Sequence, residues 1–382
     1  MGFFTDSGSS KHSEVSSRSS SPSNESSNVE NRNIMYMLKN CLILSKDGNK
    51  KAICDEGVKF SGLENNLNNC YSNVVIQSLY SYHEFRNRMI KMKKTGGAIS
   101  SELAKLYSKC VTQSDIQSTK GFLKKVCSTK DDFILGDQQD AHEFLTYILN
   151  AMIDEIRNLE DEYVKPKTFM SSKSGGKRKL EKKTWLNELV EGCVKSETRC
   201  HECYSVTGMT EPFITLSLNI FDNCDINLCL QRYCDDELLS GKNQFFCEKC
   251  DKYCDASKRI VFDLMPPLLI LHLKRFKYTT KPGSSLCSVY ERLPYSVVCS
   301  NVIQVNCKRH PCPIVYELFS IISHIGTSPD YGHYINISEL GGNWFRCDDA
   351  SILKLDDYHS EIGDETTSGN DASYILFYRI KE

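Results

Sequence analysis

A cysteine that follows a run of asparagines is the first candidate for chemistry. Cys70 stands in GLENNLNNCYSNVVIQSLY, where glycine and asparagine crowd the residues before it and Tyr71, Val75 and Leu79 mark a helical face after it. This pattern predicts a thiol at a loop-to-helix junction, where the positive end of the helix dipole favours thiolate over thiol. A thiolate is the nucleophile that a hydrolase needs. The amide-rich loop also offers donors for an oxyanion, Asn65 through its side chain and Cys70 through its backbone N–H. A single cysteine is most often a small buried hydrophobe, so the thiol needs partners before it means catalysis.

Downstream, Tyr331-Gly332-His333-Tyr334-Ile335 follows a turn-rich stretch and leads into an alternating strand pattern, with His333 near its start and able to face a cleft. Histidine can take a thiol proton near neutral pH and later return it to a leaving amine. Trp344 and Phe345 belong to another strand-like stretch, which ends in Asp348 and Asp349. One of these carboxylates can fix the histidine tautomer through the second ring nitrogen. A sheet histidine and two acids at a turn are each commonplace alone. It is the three stretches together that point to attack on a carbonyl.

Four further cysteines have metal-ligand spacing. Cys200-x-x-Cys203 and Cys247-x-x-Cys250 can set four thiolates tetrahedrally around zinc, and both lie in polar, turn-rich surroundings, ETRCHECYS and FFCEKCDKY. The 43 residues between Cys203 and Cys247 exceed the roughly 15 to 20 of a compact ribbon and predict finger-like strands. Four sulfur ligands leave no position for water, so the expected role is folding and not hydrolysis.

These residues need elements to position them. Ala141, Phe144, Leu145, Ile148, Leu149, Met152 and Ile156 recur with helical period, with Asp137 expected as N-cap and Asp140 three residues on, as in a capping box. The later half carries short β-rich runs: Phe213 to Ile220, Arg259 to Leu264, Leu268 to Phe276, Tyr316 to His324, Tyr331 to Ile337 and Tyr374 to Ile380. An α-rich first half and a β-rich second half, without alternating βαβ units, predict a segregated α+β architecture. The first 35 residues, with twelve serines before Asn28, read as a disordered tail. A basic stretch, residues 165 to 183 ending in KRKLEKK, reads as a surface loop or a nuclear-import or partner-binding patch.

The 382 residues are 40% hydrophobic and carry a net charge of −2, so nucleic acid is not an expected partner, although a zinc-ribbon nucleic-acid binder is a competing class. No stretch approaches the about 18 apolar residues of a membrane helix, and no membrane partner is expected. Gly2 invites acylation, but Asp6 stands where that pattern wants Ser or Thr. Nineteen cysteines, an odd count, argue for reduced thiols and a cytoplasmic or nuclear setting.

NLNNCYSNVVIQSL is similar to the cysteine box of the ubiquitin-specific proteases, a family of papain-like deubiquitinating enzymes, and YGHYI followed by WFRCDD resembles their histidine box. GDQQDAHEFLTYILN resembles the family's glutamine- and aspartate-containing helix, LLILHLKRF its palm strand and YILFYRI its closing strand. The likeness runs from about Lys59 to Lys381, with the motifs in the family's order. QQDAHEF and the compact length look closest to the small members activated by WD40-repeat proteins.

The resemblance implies a catalytic domain over residues 36 to 382. Its parts would be an α-helical thumb (59 to 190), zinc-bearing β fingers (191 to 260) and a β palm (261 to 382). It makes Cys70 the nucleophile, His333 the general base, Asp348 the orienting acid and Asn65 the oxyanion residue. It gives zinc to Cys200, Cys203, Cys247 and Cys250. It also sets Asp140 and Glu143 against the arginines of the ubiquitin tail, with ubiquitylated proteins as substrates. Leu67 stands where the family usually has Gly, and Asn69 where it has Thr. Leucine tolerates fewer backbone angles than glycine, so a catalytically inactive ubiquitin-binding scaffold is the alternative.

Overall fold

A computed structural model describes residues 58–94, 96–164, 183–280, 288–328, 331–356 and 371–381. The chain divides into Met1–Cys54 and Asp55–Glu382, and all described residues belong to the second unit. The serine-rich tail and residues 165–182 of the basic stretch lie outside the described residues.

Helices lead. Among the described residues, α1 (Cys70–Ser81), α2 (His83–Lys91), α3 (Ala98–Thr112), α4 (Lys120–Cys127), α5 (Ala141–Val164) and α6 (Trp185–Val190) precede every strand, and only the short α7 (Ile226–Tyr233) follows. The seven apolar residues spaced along α5 are all at most 2% exposed, so its helical period is a true core stripe. Burying each such Leu or Ile stabilises by about 1.5–3 kcal/mol. The cap differs from expectation. Asp140 Oδ1 accepts from the backbone N–H groups of His142 and Glu143, at 2.8 and 2.9 Å, so Asp140 and not Asp137 starts the helix. Asp137 instead closes a turn, its N–H donating to Ile134 O.

α1 is buried on all sides, its twelve residues included, so Tyr71, Val75 and Leu79 are one face among several. It lies against α5, where Tyr71 meets Phe144 edge to face, ring centroids 5.1 Å apart. Its other side meets the main sheet, where Asn336 donates to Ser78 Oγ at 2.6 Å.

The first β layer is a four-stranded sheet ordered β2-β1-β8-β5, from β1 (Gly192–Cys200), β2 (Val206–Phe213), β5 (Glu237–Leu239) and β8 (Ala256–Leu264). Beside it stands the small hairpin of β6 (Phe245–Cys247) and β7 (Lys252–Cys254), and two further pairs join β4 (Cys224–Asp225) to β12 (Val297–Val298) and β10 (Phe276–Thr280) to β11 (Ser288–Arg292). The main sheet has eight strands. Its order is β17-β16-β15-β14-β18-β9-β3, with β13 (Val302–Val305) also paired to β14. They are β3 (Thr215–Leu218), β9 (Leu268–Leu273), β14 (Ile314–Ser328), β15 (Tyr331–Leu340), β16 (Asn343–Asp348), β17 (Ser351–Leu355) and β18 (Asp371–Ile380). The six expected runs each overlap a strand: those from Phe213 and Leu268 contain β3 and β9, and the other four lie within the longer β8, β14, β15 and β18.

Alternation divides this sheet between two cores. Leu268, Ile270, Phe319, Ile322, Ile375 and Phe377 pack with the helices, while Leu269, Leu271, Tyr316, Ile321, Leu376 and Tyr378 enter a second core on the other face. Successive strand side chains point to opposite faces, and β9 is a near-continuous apolar run because both faces are covered. The segregated α+β class is therefore what the chain adopts.

Candidate active site and metal centre

Cys70 is the first residue of α1, 4% exposed, with no acidic residue in the helix's first turn to oppose a thiolate. The loop before it is held by amides. Asn69 donates from Nδ2 to Glu64 O (2.9 Å), Asn73 Oδ1 (3.0 Å) and Thr119 Oγ1 (3.1 Å), and its Oδ1 accepts from Leu67 N. The left-handed backbone in this loop falls at Asn68, φ 49°, a residue type that tolerates it, and not at Leu67. The geometric ground for a misaligned, inactive loop is thereby removed. Asn69 braces the turn from a buried position.

His333 comes from β15 and Asp348 from the end of β16, joined by the antiparallel pairing of those strands. The ring nitrogen Nε2 of His333 lies 2.7 Å from Asp348 Oδ1. The neighbouring Cys70 thiol and Asp348 hold the pKa of this histidine up, to about 9, against the lowering effect of partial burial. With Nε2 committed to the carboxylate, Nδ1 is the nitrogen left to exchange a proton with sulfur. Gly332 is required here, since a Cβ would sit 2.2 Å from His324 Nε2 and 2.7 Å from Ile325 O.

Asp349 has a separate task. Its Oδ2 accepts from Asn65 Nδ2 at 2.6 Å, its Oδ1 from Asn73 Nδ2 at 2.8 Å, and its backbone carbonyl from Leu63 N. Asn65 Oδ1 in turn accepts from Asn69 N. One hydrogen of the Asn65 amide is thus tethered, and the other is left for an oxyanion. Gly62 allows this junction, because a Cβ there would meet Ala350 O at 2.3 Å. Sequence reasoning found neither Asn73 nor the division of labour between the two acids. A polar residue three positions after the nucleophile was the available signal for Asn73.

Asp140 and Glu143 do not converge. Besides capping α5, Asp140 accepts from Tyr374 Oη through Oδ2, while Glu143 is exposed and pairs with Lys130 Nζ at 2.8 Å. Both therefore have partners within the chain. The start of α5 is further fastened to the His333 strand by Gly332 N donating to Gln138 Oε1 at 3.2 Å. Next to it, His142 stacks on His272, ring centroids 3.9 Å apart, and burial lowers the pKa of both.

The sulfurs of Cys200, Cys203, Cys247 and Cys250 all lie within 4.8 Å of one another, with Cys203 and Cys247 3.6 Å apart. A zinc–sulfur tetrahedron with bonds of about 2.3 Å has edges of about 3.8 Å, so the four residues fit such an ion. The two Cys-x-x-Cys turns are built alike. Each follows a strand, β1 or β6, and each is followed by a left-handed residue, Tyr204 (φ 57°) or Asp251 (φ 53°). In each turn that residue's N–H donates to the carbonyl of the first cysteine.

Comparison with known proteins agrees with this geometry. The family model for ubiquitin carboxyl-terminal hydrolase matches residues 61–378. Ubiquitin carboxyl-terminal hydrolase 4 of Arabidopsis thaliana is 32% identical over 357 residues, covering 86% of this chain and 96% of the relative. Ubiquitin carboxyl-terminal hydrolase 12 of Salmo salar is 29% identical over 348 residues, covering 85% and 90%. The SAGA DUB module Ubp8/Sgf11/Sus1/Sgf73 bound to monoubiquitin aligns with a TM-score of 0.68 at 23% identity, over 90% of this chain and 75% of that chain. The module bound to ubiquitin aldehyde aligns at 0.67 and 22%, over 92% and 75%, a likeness of fold. The chain belongs to the ubiquitin carboxyl-terminal hydrolase family, the cysteine-type deubiquitinating enzymes.

Proposed function

We propose that Cys70 attacks the carbonyl after the C-terminal glycine of ubiquitin, in conjugates of ubiquitin with other proteins. The observation that carries this reading is the 2.7 Å bond of His333 to Asp348, beside the Cys70 thiol that also raises the pKa of the histidine. The thiolate adds to the carbonyl carbon, and the oxyanion is met by the Asn65 amide and the Cys70 N–H. The imidazolium then gives its proton to the departing lysine amine as the C–N bond breaks, which leaves an acyl-thioester. Water, deprotonated by the same histidine, releases ubiquitin and restores the thiol. The test is turnover of a fluorogenic C-terminal ubiquitin conjugate. Cys70→Ala should abolish it while ubiquitin binding persists, and undiminished turnover would refute the assignment.

In the same reading the four-cysteine cluster holds one structural zinc that stiffens the finger strands. Asp140 and Glu143 line the path of the arginine-bearing ubiquitin tail, Glu143 exchanging Lys130 for an arginine. A WD40-repeat protein that docks on the fingers raises activity by favouring the competent cleft. Exposed apolar side chains on the finger strands support a partner there: Val206, Met209, Leu238, Phe246 and Tyr253. Full activity of the isolated chain, unchanged by such a protein, would contradict it. The described cysteines are free thiols, which supports a cytoplasmic or nuclear setting, checked by fractionation.

A further inference from the structure

The helix that carries the nucleophile buries several polar side chains, and nearly all are satisfied by protein. Ser72 donates to Asn69 O, Asn73 to Glu64 O and Asp349, Ser78 to Val74 O, and Ser81 to Ser78 O. Gln77 is the exception. It is 2% exposed, seven residues beyond Cys70, and neither its Nε2 nor its Oε1 has a hydrogen-bond partner among the described residues. Leaving a buried amide group unpaired costs about 1–3 kcal/mol, so native proteins rarely do so.

Gln77 lines a cavity of about 10 Å³, with Ser61, Tyr107 and Cys110 among its other walls. The lining residues are all buried, at most 7% exposed. Ser61 has already given its hydrogen towards Cys110 O and Gln113 O, and Tyr107 has given its own to Ile76 O. Both hydroxyl oxygens keep lone pairs that can accept. A volume near 10–15 Å³ accommodates about one water, and such a water needs two to four polar partners. Gln77, Ser61 and Tyr107 supply that number.

We infer that this cavity is a binding site for a single internal water, held by the Gln77 amide and the hydroxyl oxygens of Ser61 and Tyr107. The water joins the nucleophile helix to the segment Phe60–Leu63. That segment reaches the acid of the oxyanion loop, since Leu63 N donates to Asp349 O and Gly62 lies against Ala350. The bridge is thus a polar brace behind the catalytic loop, made from solvent where no side chain reaches.

A crystal structure of the native chain that resolves ordered solvent tests the inference directly. The expected result is a solvent peak within hydrogen-bond distance of the Gln77 amide. Water-to-amide magnetisation transfer to the Gln77 side-chain NH₂ in solution checks it independently. Gln77→Met, which fills the space with apolar atoms, should fold and lose the peak. A dry cavity, or a Gln77 amide turned onto a protein partner, would overturn the proposal.

Discussion

Asp348 and Asp349 are neighbours in sequence whose carboxylates serve different residues: Asp348 holds His333 at 2.7 Å, and Asp349 holds Asn65 at 2.6 Å and Asn73 at 2.8 Å. Asp349 adopts a left-handed backbone, φ 51°, which turns the chain sharply just after β16. One acid therefore belongs to the proton-transfer pair and the other to the oxyanion loop.

Asp349 is already bonded to Asn65 and Asn73, so loss of the Asp348 charge falls first on the histidine. Asp348→Asn should lower kcat by about 10²-fold or more, through loss of the charge that supports the imidazolium. Asp349→Ala should release the Asn65 amide and lower kcat by about 10²–10³-fold, the usual cost of one oxyanion donor, with little change in KM. Steady-state kinetics on a fluorogenic ubiquitin conjugate separate the two. Near-normal kcat in Asp349→Ala would show that Asn65 does not need its tether.

The pH dependence follows from His333. Its pKa of about 9 lies above the ordinary value of about 6.5, so its pairing stabilises the fold fully below about 6.5 and is lost as pH rises through 9. We expect kcat/KM to persist to about pH 9 and then fall, with an apparent constant that belongs to the thiol–imidazole pair. A fall centred near about pH 7 would mean that the histidine is not held by its two partners.

Elemental analysis should count one zinc per chain, and substitution of Cys200, Cys203, Cys247 or Cys250 by serine should remove it. A strong chelator should lower Tm and weaken ubiquitin binding before it slows alkylation of Cys70, because the ion contributes to folding and not to the thiol. Metal-free protein of full stability would contradict the site.

Asp140 and Glu143 separate by their present partners. Asp140→Ala removes a helix cap and should destabilise by about 1 kcal/mol or more, so a loss of activity there reports on the fold as well as on substrate. Glu143 is exposed and its pair with Lys130 is worth about 1 kcal/mol or less, which makes Glu143→Ala the cleaner probe. We expect a roughly tenfold loss of kcat/KM toward ubiquitin, the value of one charge-assisted contact, with unchanged reaction of Cys70 with a small alkylating reagent. Unchanged efficiency would mean that the tail takes another path.

Local order made much of this protein legible in its sequence. The i, i+3, i+4 spacing from Ala141 to Ile156 is written within a few residues, and so are the β-rich runs of β9, β14 and β18 and the two Cys-x-x-Cys turns. Periodicity and turn chemistry act over that same distance. The order of the cysteine and histidine boxes was legible too, because reactive residue types are few and their neighbours distinctive. Spacing points to Asp137 as the cap of α5, but it does not say whose side chain turns back onto the free N–H groups, and Asp140 does so. The rest was decided by tertiary structure. Asn65 meets Asp349 across 284 residues, and His142 stacks on His272. The register of β15 on β16 and the burial of α1 bring about such meetings. Which of two adjacent carboxylates faces the histidine depends on a backbone angle and on strand pairing, and neither is expressed in the order of two aspartates.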